Sequence, residues 1–245
     1  MLHYKVSGEG PVCIFLHGFL ESIGMWEYLP LEELNCKKVF IDLPGHGKSK
    51  YNIKGKPSID SMADEVISIL DKEGIDQFHI IGHSMGGYVS LSIKEKKPGC
   101  RKVILLNSNY WSDSISKQND RERVSKIAYK AKEYFLNEAI PNLFTDKLKF
   151  KSQIDQLVDE SKQMTPDAIA FASIAMKNRK DKSSLLNKKD FIIIHGALDS
   201  LIDQSQYNLE LIDPGHFHII SNAGHMSHIE NHGEVIDVLK LYLKD

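Results

Sequence analysis

Long apolar runs are missing from this chain. No segment approaches the roughly 20 apolar residues that a membrane-crossing helix requires, so no membrane partner is expected. The opening stretch MLHYKVSGEG lacks a basic segment followed by an apolar core, so no signal peptide is expected. Cysteine is scarce too: Cys13, Cys36 and Cys100 are an odd set at wide spacings with no CxxC pair. That argues against a disulfide framework and for a reducing, cytoplasmic setting, with Cys13 and Cys36 as small core hydrophobes. An excess of one charge is also lacking. The 31 Lys and Arg nearly balance 33 Asp and Glu, for a net charge of -2. No electrostatic case for nucleic acid or an anionic surface follows. There is no fixed-period repeat.

What is present is ordinary globular composition: 42% hydrophobic and 26% charged residues in 245 positions, enough for one large core. Short apolar runs alternate with amphipathic stretches. Val12 to Leu16, Lys38 to Ile41, Phe78 to Ile81 and Val103 to Leu106 read as buried strands. Ile59, Met62, Ala63, Val66, Ile69 and Leu70 recur at helical spacing after a candidate cap, Ser58. Ser84 to Lys96 reads as a helix closed by Pro98-Gly99. From about Asn109 to Asn187 the strand pattern disappears, and a charged, amphipathic region follows in which Thr165-Pro166 marks a helix start. Strands return at Phe191 to Ile194 and Phe217 to Ile220, and a last amphipathic helix carries Val235, Val238, Leu239 and Tyr242. This alternation predicts an α/β protein with a mostly parallel sheet between helical layers. Ligands of such sheets bind beyond the strands' carboxyl ends, where His17, Gly18, Asp42, Ser84 and Asn107 fall.

Gly82-His83-Ser84-Met85-Gly86 carries G-x-S-x-G, the nucleophile elbow. About one chain in ten of this length matches that pattern by chance, so the context decides. Here it follows a strand and opens a helix, whose N-terminus favours developing negative charge. A serine hydroxyl needs a base. Of eleven histidines, His225 stands in the loop after the last strand and behind Gly224. The base needs an orienting carboxylate. Asp199 is favoured because it is nearest the end of the Phe191 to Ile194 strand, and Asp203 is the alternative. The expected oxyanion hole uses the backbone N–H groups of Met85 and Phe19, each worth about 10²- to 10³-fold in rate.

LHGFLES (16–22), DLPGHGKS (42–49), GHSMGG (82–87), HGALD (195–199) and AGHMSHIE (223–230) together resemble the α/β-hydrolase superfamily, in particular its small esterases, lactonases and carbon–carbon bond hydrolases. The resemblance implies a core of residues 1–108 and 188–245 with a helical cap (lid) at 109–187. It implies no cofactor and no metal. The leading strand of the family is expected to be absent or shortened, and His232 stands where many members carry proline. The expected reaction is hydrolysis of an ester, thioester or lactone of a small apolar acyl substrate through an acyl-enzyme. The same residues would also serve C–C bond hydrolysis, acyl transfer or perhydrolysis, or a slow-turnover receptor for a small ligand. Dehalogenation and epoxide opening need a carboxylate where Ser84 stands. His17, Gly18, Trp111, Phe135, Phe144 and Met226 are candidate substrate contacts. A monomer or homodimer is expected.

Three features point elsewhere and are set aside. Gly45-His46-Gly47-Lys48-Ser49 ends like a phosphate loop, but Asp42 occupies the position of the first glycine. His225, His228 and His232 cluster without the HExxH order, and His228 and His232 are expected at a helix start facing solvent. The Lys and Arg of 117–132 are interleaved with acids, as on a solvated helix face.

Overall fold

The computed structural model describes residues 1–52 and 55–243. A seven-stranded sheet runs through its centre in the order β1-β3-β2-β4-β5-β6-β7. The strands are β1 (Tyr4–Ser7), β2 (Val12–Leu16), β3 (Lys37–Ile41), β4 (Phe78–His83), β5 (Cys100–Leu106), β6 (Phe191–Gly196) and β7 (Phe217–Ile220). Only β1 is antiparallel, to β3; every other pair is parallel. The leading strand is therefore present, as a four-residue edge strand.

Side chains alternate across a strand, and here both faces are buried. Ile14, Leu16, Ile80, Val103, Leu105 and Ile193 enter one core cluster. Their neighbours Phe15, Ile81, Ile104, Leu106, Ile192 and Ile194 enter the other. That is why the strands read as continuous apolar runs. Each such fully buried side chain contributes about 1.5–3 kcal/mol.

The helices that cover the sheet include α1 (Ile59–Lys72), α2 (Met85–Lys96) and α8 (His232–Tyr242). Helix α1 starts where Ser58 Oγ accepts the Ser61 N–H at 3.0 Å, and it buries the stripe from Ile59 to Leu70. Between β5 and β6 lie α3 (Ile115–Lys130), α4 (Lys132–Ala139), α5 (Lys151–Ser161) and α6 (Pro166–Lys177). Thr165 caps α6, its Oγ1 accepting the Ala168 N–H at 3.2 Å. These helices bury Leu136, Ile140, Phe144, Phe150, Ile154 and Ile169 together with Leu20 and Met226, from the loops beyond the carboxyl ends of β2 and β7, and Ile229, from the short helix that follows β7. The helical segment thus lies against that rim. Phe171, Ala172, Ala175 and Met176 of α6 join the main core as well. Among the described residues no helix is long and apolar enough to cross a membrane.

One expectation fails here. His228, in α7 (Ser227–Glu230), is fully buried rather than solvent-facing, with its ring between those of Trp26 and His83. All four residues of this short helix are buried, so it has no solvated face to offer. His232 is exposed.

Candidate active site

Ser84 sits at the junction of β4 and α2 with φ +48° and ψ -115°. A non-glycine residue in the left-handed region costs of order 1–3 kcal/mol and persists only where surrounding contacts enforce it. The Ser84 N–H donates to Leu106 O at 3.0 Å, and Ser84 O accepts the Gly87 N–H at 3.0 Å and Ser108 Oγ–H at 2.6 Å. The turn is so tight that a Cβ on Gly82 would fall 2.4 Å from the Gly86 backbone, and one on Gly86 would fall 2.3 Å from Leu16 O. The two flanking glycines are required by close approach of backbone to backbone.

His225 is brought 141 residues along the chain to this turn: its Nε2 lies 3.0 Å from Ser84 Oγ. Its Nδ1 lies 2.9 Å from Asp199 Oδ2. A carboxylate only accepts, so Nδ1 carries the proton and Nε2 is the acceptor for the serine hydroxyl. Burial of Asp199 would raise its pKa. The His225 ring, by its charge when protonated and by its hydrogen bond, outweighs burial, aided by the Asn107 amide and the Leu201 N–H, and holds the carboxyl well below the usual range. Asp203 is placed elsewhere. Its Oδ1 accepts the Ser205 N–H at 2.9 Å, capping its own turn at the cavity wall.

Asn107 is the partner that the sequence reading left without a role. Its Nδ2 donates to Asp199 Oδ2 at 2.9 Å and to Gly224 O at 3.0 Å, and its Oδ1 accepts from Ser227. Asn107 has φ +43°, a conformation asparagine tolerates better than most residues. An asparagine immediately after a buried strand was the available signal.

A cavity of about 580 Å³ opens on Ser84 and His225. Phe19, Trp111 and Phe135 line it, as do Leu20, Leu143 and Tyr88. Tyr88, four residues after Ser84 on α2, was not anticipated. The Phe19 N–H makes no hydrogen bond among the described residues, and Leu20 beside it has φ +67°. The Met85 N–H is at the first position of α2, where a helix offers no internal acceptor.

Four expected substrate contacts do not reach this cavity. His17 is fully buried, its Nε2 accepting the Leu43 N–H at 2.9 Å and its Nδ1–H bonded to Gly18 O at 2.7 Å. Gly18 is closed off because its N–H donates to Glu21 Oε2 at 2.5 Å, and a Cβ there would meet that oxygen at 2.6 Å. Phe144 and Met226 fill the apolar cluster of the helical segment, with the Phe144 ring 5.8 Å from that of Phe150. Each was drawn inward by its own hydrophobicity or hydrogen bonding. Among the described residues no group of three or more His, Cys, Asp or Glu is arranged to hold a metal ion.

The chain matches the sequence profile of the α/β hydrolase fold over residues 11–232. It is 26% identical over 255 residues to the dihydrolipoyllysine-residue acetyltransferase component of the acetoin cleaving system of Pseudomonas putida, covering 98% of this chain and 66% of that protein. It therefore spans just under two thirds of that relative. To 2-succinyl-6-hydroxy-2,4-cyclohexadiene-1-carboxylate synthase of Citrobacter koseri it is 26% identical over 247 residues, covering 96% and 94%. In structure it is similar to a thermophilic esterase from Thermogutta terrifontis, with TM-score 0.88 and 24% identity over 99% of this chain and 92% of that one. The enol-lactonase from Burkholderia xenovorans superposes with TM-score 0.83 and 21% identity over 97% and 96%. With its mostly parallel sheet, its strained serine turn and a profile match across nearly all its length, this chain belongs to the α/β-hydrolase fold family.

Proposed function

We propose that this chain is a serine hydrolase that cleaves an ester, thioester or lactone of a small apolar acyl group through an acyl-enzyme. The observation that carries the reading is the His225 ring standing between Ser84 Oγ at 3.0 Å and Asp199 Oδ2 at 2.9 Å. In this reading His225 Nε2 takes the hydroxyl proton as Ser84 Oγ attacks the carbonyl carbon. The oxyanion is received by the N–H groups of Phe19 and Met85. His225 then returns the proton to the leaving oxygen or sulfur, and a water activated by the same nitrogen releases the acid. Asp199 stabilises the imidazolium that forms in each half. General base catalysis contributes about 10²- to 10⁴-fold and each oxyanion donor about 10²- to 10³-fold.

The apolar acyl group is supported by Phe19, Trp111, Phe135 and Leu143 in a cavity of about 580 Å³, within the range typical of small-molecule sites. Residues 109–187 serve as the cap, since α3, α4 and the loop after it supply Val124, Phe135 and Leu143 to the wall above Ser84. Turnover of p-nitrophenyl acetate and butyrate by wild type and Ser84→Ala tests the reading. Wild-type activity that vanishes in the variant, with fluorophosphonate labelling of Ser84, supports it. Equal turnover by both proteins removes it.

A further inference from the structure

His83, the residue before Ser84, is fully buried and takes no part in the reaction just described. Its Nδ1 lies 2.9 Å from Glu21 Oε2, and its Nε2 lies 2.9 Å from the backbone oxygen of His225. A carboxylate and a carbonyl both only accept, whereas a neutral imidazole has a single N–H. The ring therefore satisfies both neighbours only with a proton on each nitrogen. The same Glu21 oxygen also accepts the Gly18 N–H at 2.5 Å. One side chain thus ties together three segments at the carboxyl ends of β2, β4 and β7: the loop carrying Phe19, the Ser84 turn and the loop carrying His225.

We infer that His83 is a positioning residue, held as a buried imidazolium between Glu21 and the His225 carbonyl, which sets the His225 ring and the Phe19 N–H in register with Ser84. The inference rests on the serine hydrolase reading for its consequence, though not for its proton count.

The groups facing His83 are consistent with that charge. Glu21 approaches from the loop after β2. Burial would raise its pKa, but the charge and hydrogen bond of His83 bring it down to about 2. Burial by itself lowers the pKa of His83, and the Glu21 charge and hydrogen bond outweigh it and raise the net value. The His228 ring from α7 lies 4.7 Å away, and His17 stands at the end of β2. Burial drives both toward the neutral form, so neither opposes the imidazolium. The His225 ring is 5.1 Å away, and Asp199 beyond it adds a further negative charge.

Glu21→Gln separates the alternatives because one oxygen serves two donors. An amide oxygen in that place keeps the Gly18 N–H and His83 Nδ1–H but removes the charge that holds the second proton, leaving His83 Nε2 bare against the His225 carbonyl. The amide nitrogen in that place confronts the Gly18 N–H instead. Either way one loop loses its tie.

The test combines histidine-ring ¹H–¹⁵N correlation spectra, with His83 assigned through its backbone, and steady-state kinetics on the p-nitrophenyl esters. At pH 7.5 the wild type should show both His83 ring nitrogens protonated, and Glu21→Gln should show one bare nitrogen. The variant should lose about 10- to 100-fold in kcat, the scale of a small misplacement of reacting groups, with KM changed less than about threefold. Its kcat should also fall with rising pH below pH 7.5, where the wild type shows no such fall, as His83 loses its second proton. A bare His83 nitrogen in the wild type at pH 7.5 overturns the inference, and that spectrum needs no variant to fold. A wild-type kcat and pH profile in Glu21→Gln overturns it equally. Failure of the hydrolase reading shows separately, as turnover by Ser84→Ala.

Discussion

Asn107 Nδ2 donates at 2.9 Å to Asp199 Oδ2, the oxygen that also accepts His225 Nδ1–H. The Asp199 carboxylate is therefore aimed from two sides, with the Leu201 and Ile202 N–H groups on its other oxygen at 2.9 and 3.2 Å. Asn107→Ala should lower kcat on p-nitrophenyl butyrate about tenfold with KM little changed, because the carboxylate loses one constraint. Unfolding should also show a loss of about 1–3 kcal/mol from the unpaired Gly224 and Ser227 groups. Unaltered kcat would deny Asn107 this role.

The turn that presents Ser84 is as sensitive as the groups around it. In Gly86→Ala the new Cβ would lie 2.3 Å from Leu16 O and 2.6 Å from His17 O. Backbone of β2 cannot yield without displacing the loop that carries Phe19. Labelling of Ser84 by a fluorophosphonate should slow more than about 100-fold, with a stability loss of about 1–3 kcal/mol from overpacking.

Asp113 and Arg179 form an ion pair at 2.7 Å with both side chains 5% exposed. The Arg179 guanidinium also lies 4.0 Å from the centre of the Tyr88 ring, at the wall of the cavity. Asp113→Ala leaves that charge buried and unmatched, apart from carbonyl contacts to Trp111 and Met176. Urea unfolding should show a loss of about 3–5 kcal/mol. A loss below about 1 kcal/mol would mean that water reaches Arg179.

Acid should destabilise the protein well above the range where carboxylates titrate. Burial pushes the pKa of His46 down to about 3, and that of fully buried His228 moves the same way. A histidine whose folded value lies below its unfolded value contributes stability that is present above about pH 6.5 and is lost as pH falls. For His46 alone the loss at pH 5 is about 2 kcal/mol. His83 acts in the opposite sense. Its raised pKa contributes stability below its unfolded value that is lost as pH rises through the folded one. Urea midpoints measured at pH 7 and pH 5 should fall on the acid side, and His46→Gln should lessen the fall. Equal midpoints would contradict the burial of neutral rings.

Much of the architecture was legible along the chain because parallel strands buried on both faces leave unbroken apolar runs, and turns leave glycine. The runs around Ile14, Ile80 and Ile193 became neighbouring or near-neighbouring strands. What followed each run marked the rim. His228 shows where such reading stops. Its segment is four residues long, too short for a face to be read from periodicity, and only packing against Trp26 and His83 buries it. Phe144 and Met226 show the same limit from the other side. Aromatic and apolar residues of the helical segment and of the loops packed against it look alike in sequence, whether they line a cavity or fill a core.

Local chemistry along the chain thus settled which residues stand at strand ends and which turn must be tight, since those depend on near neighbours. It also singled out Ser84, His225 and Asp199 as chemically suited groups. Their distances, the proton-bearing nitrogen of His225, the grip of Asn107 on Asp199 and the bridge from Glu21 through His83 to His225 were decided by the folded sheet alone. These contacts join residues 26 to 142 positions apart, and no short window of sequence records which strand ends will become neighbours.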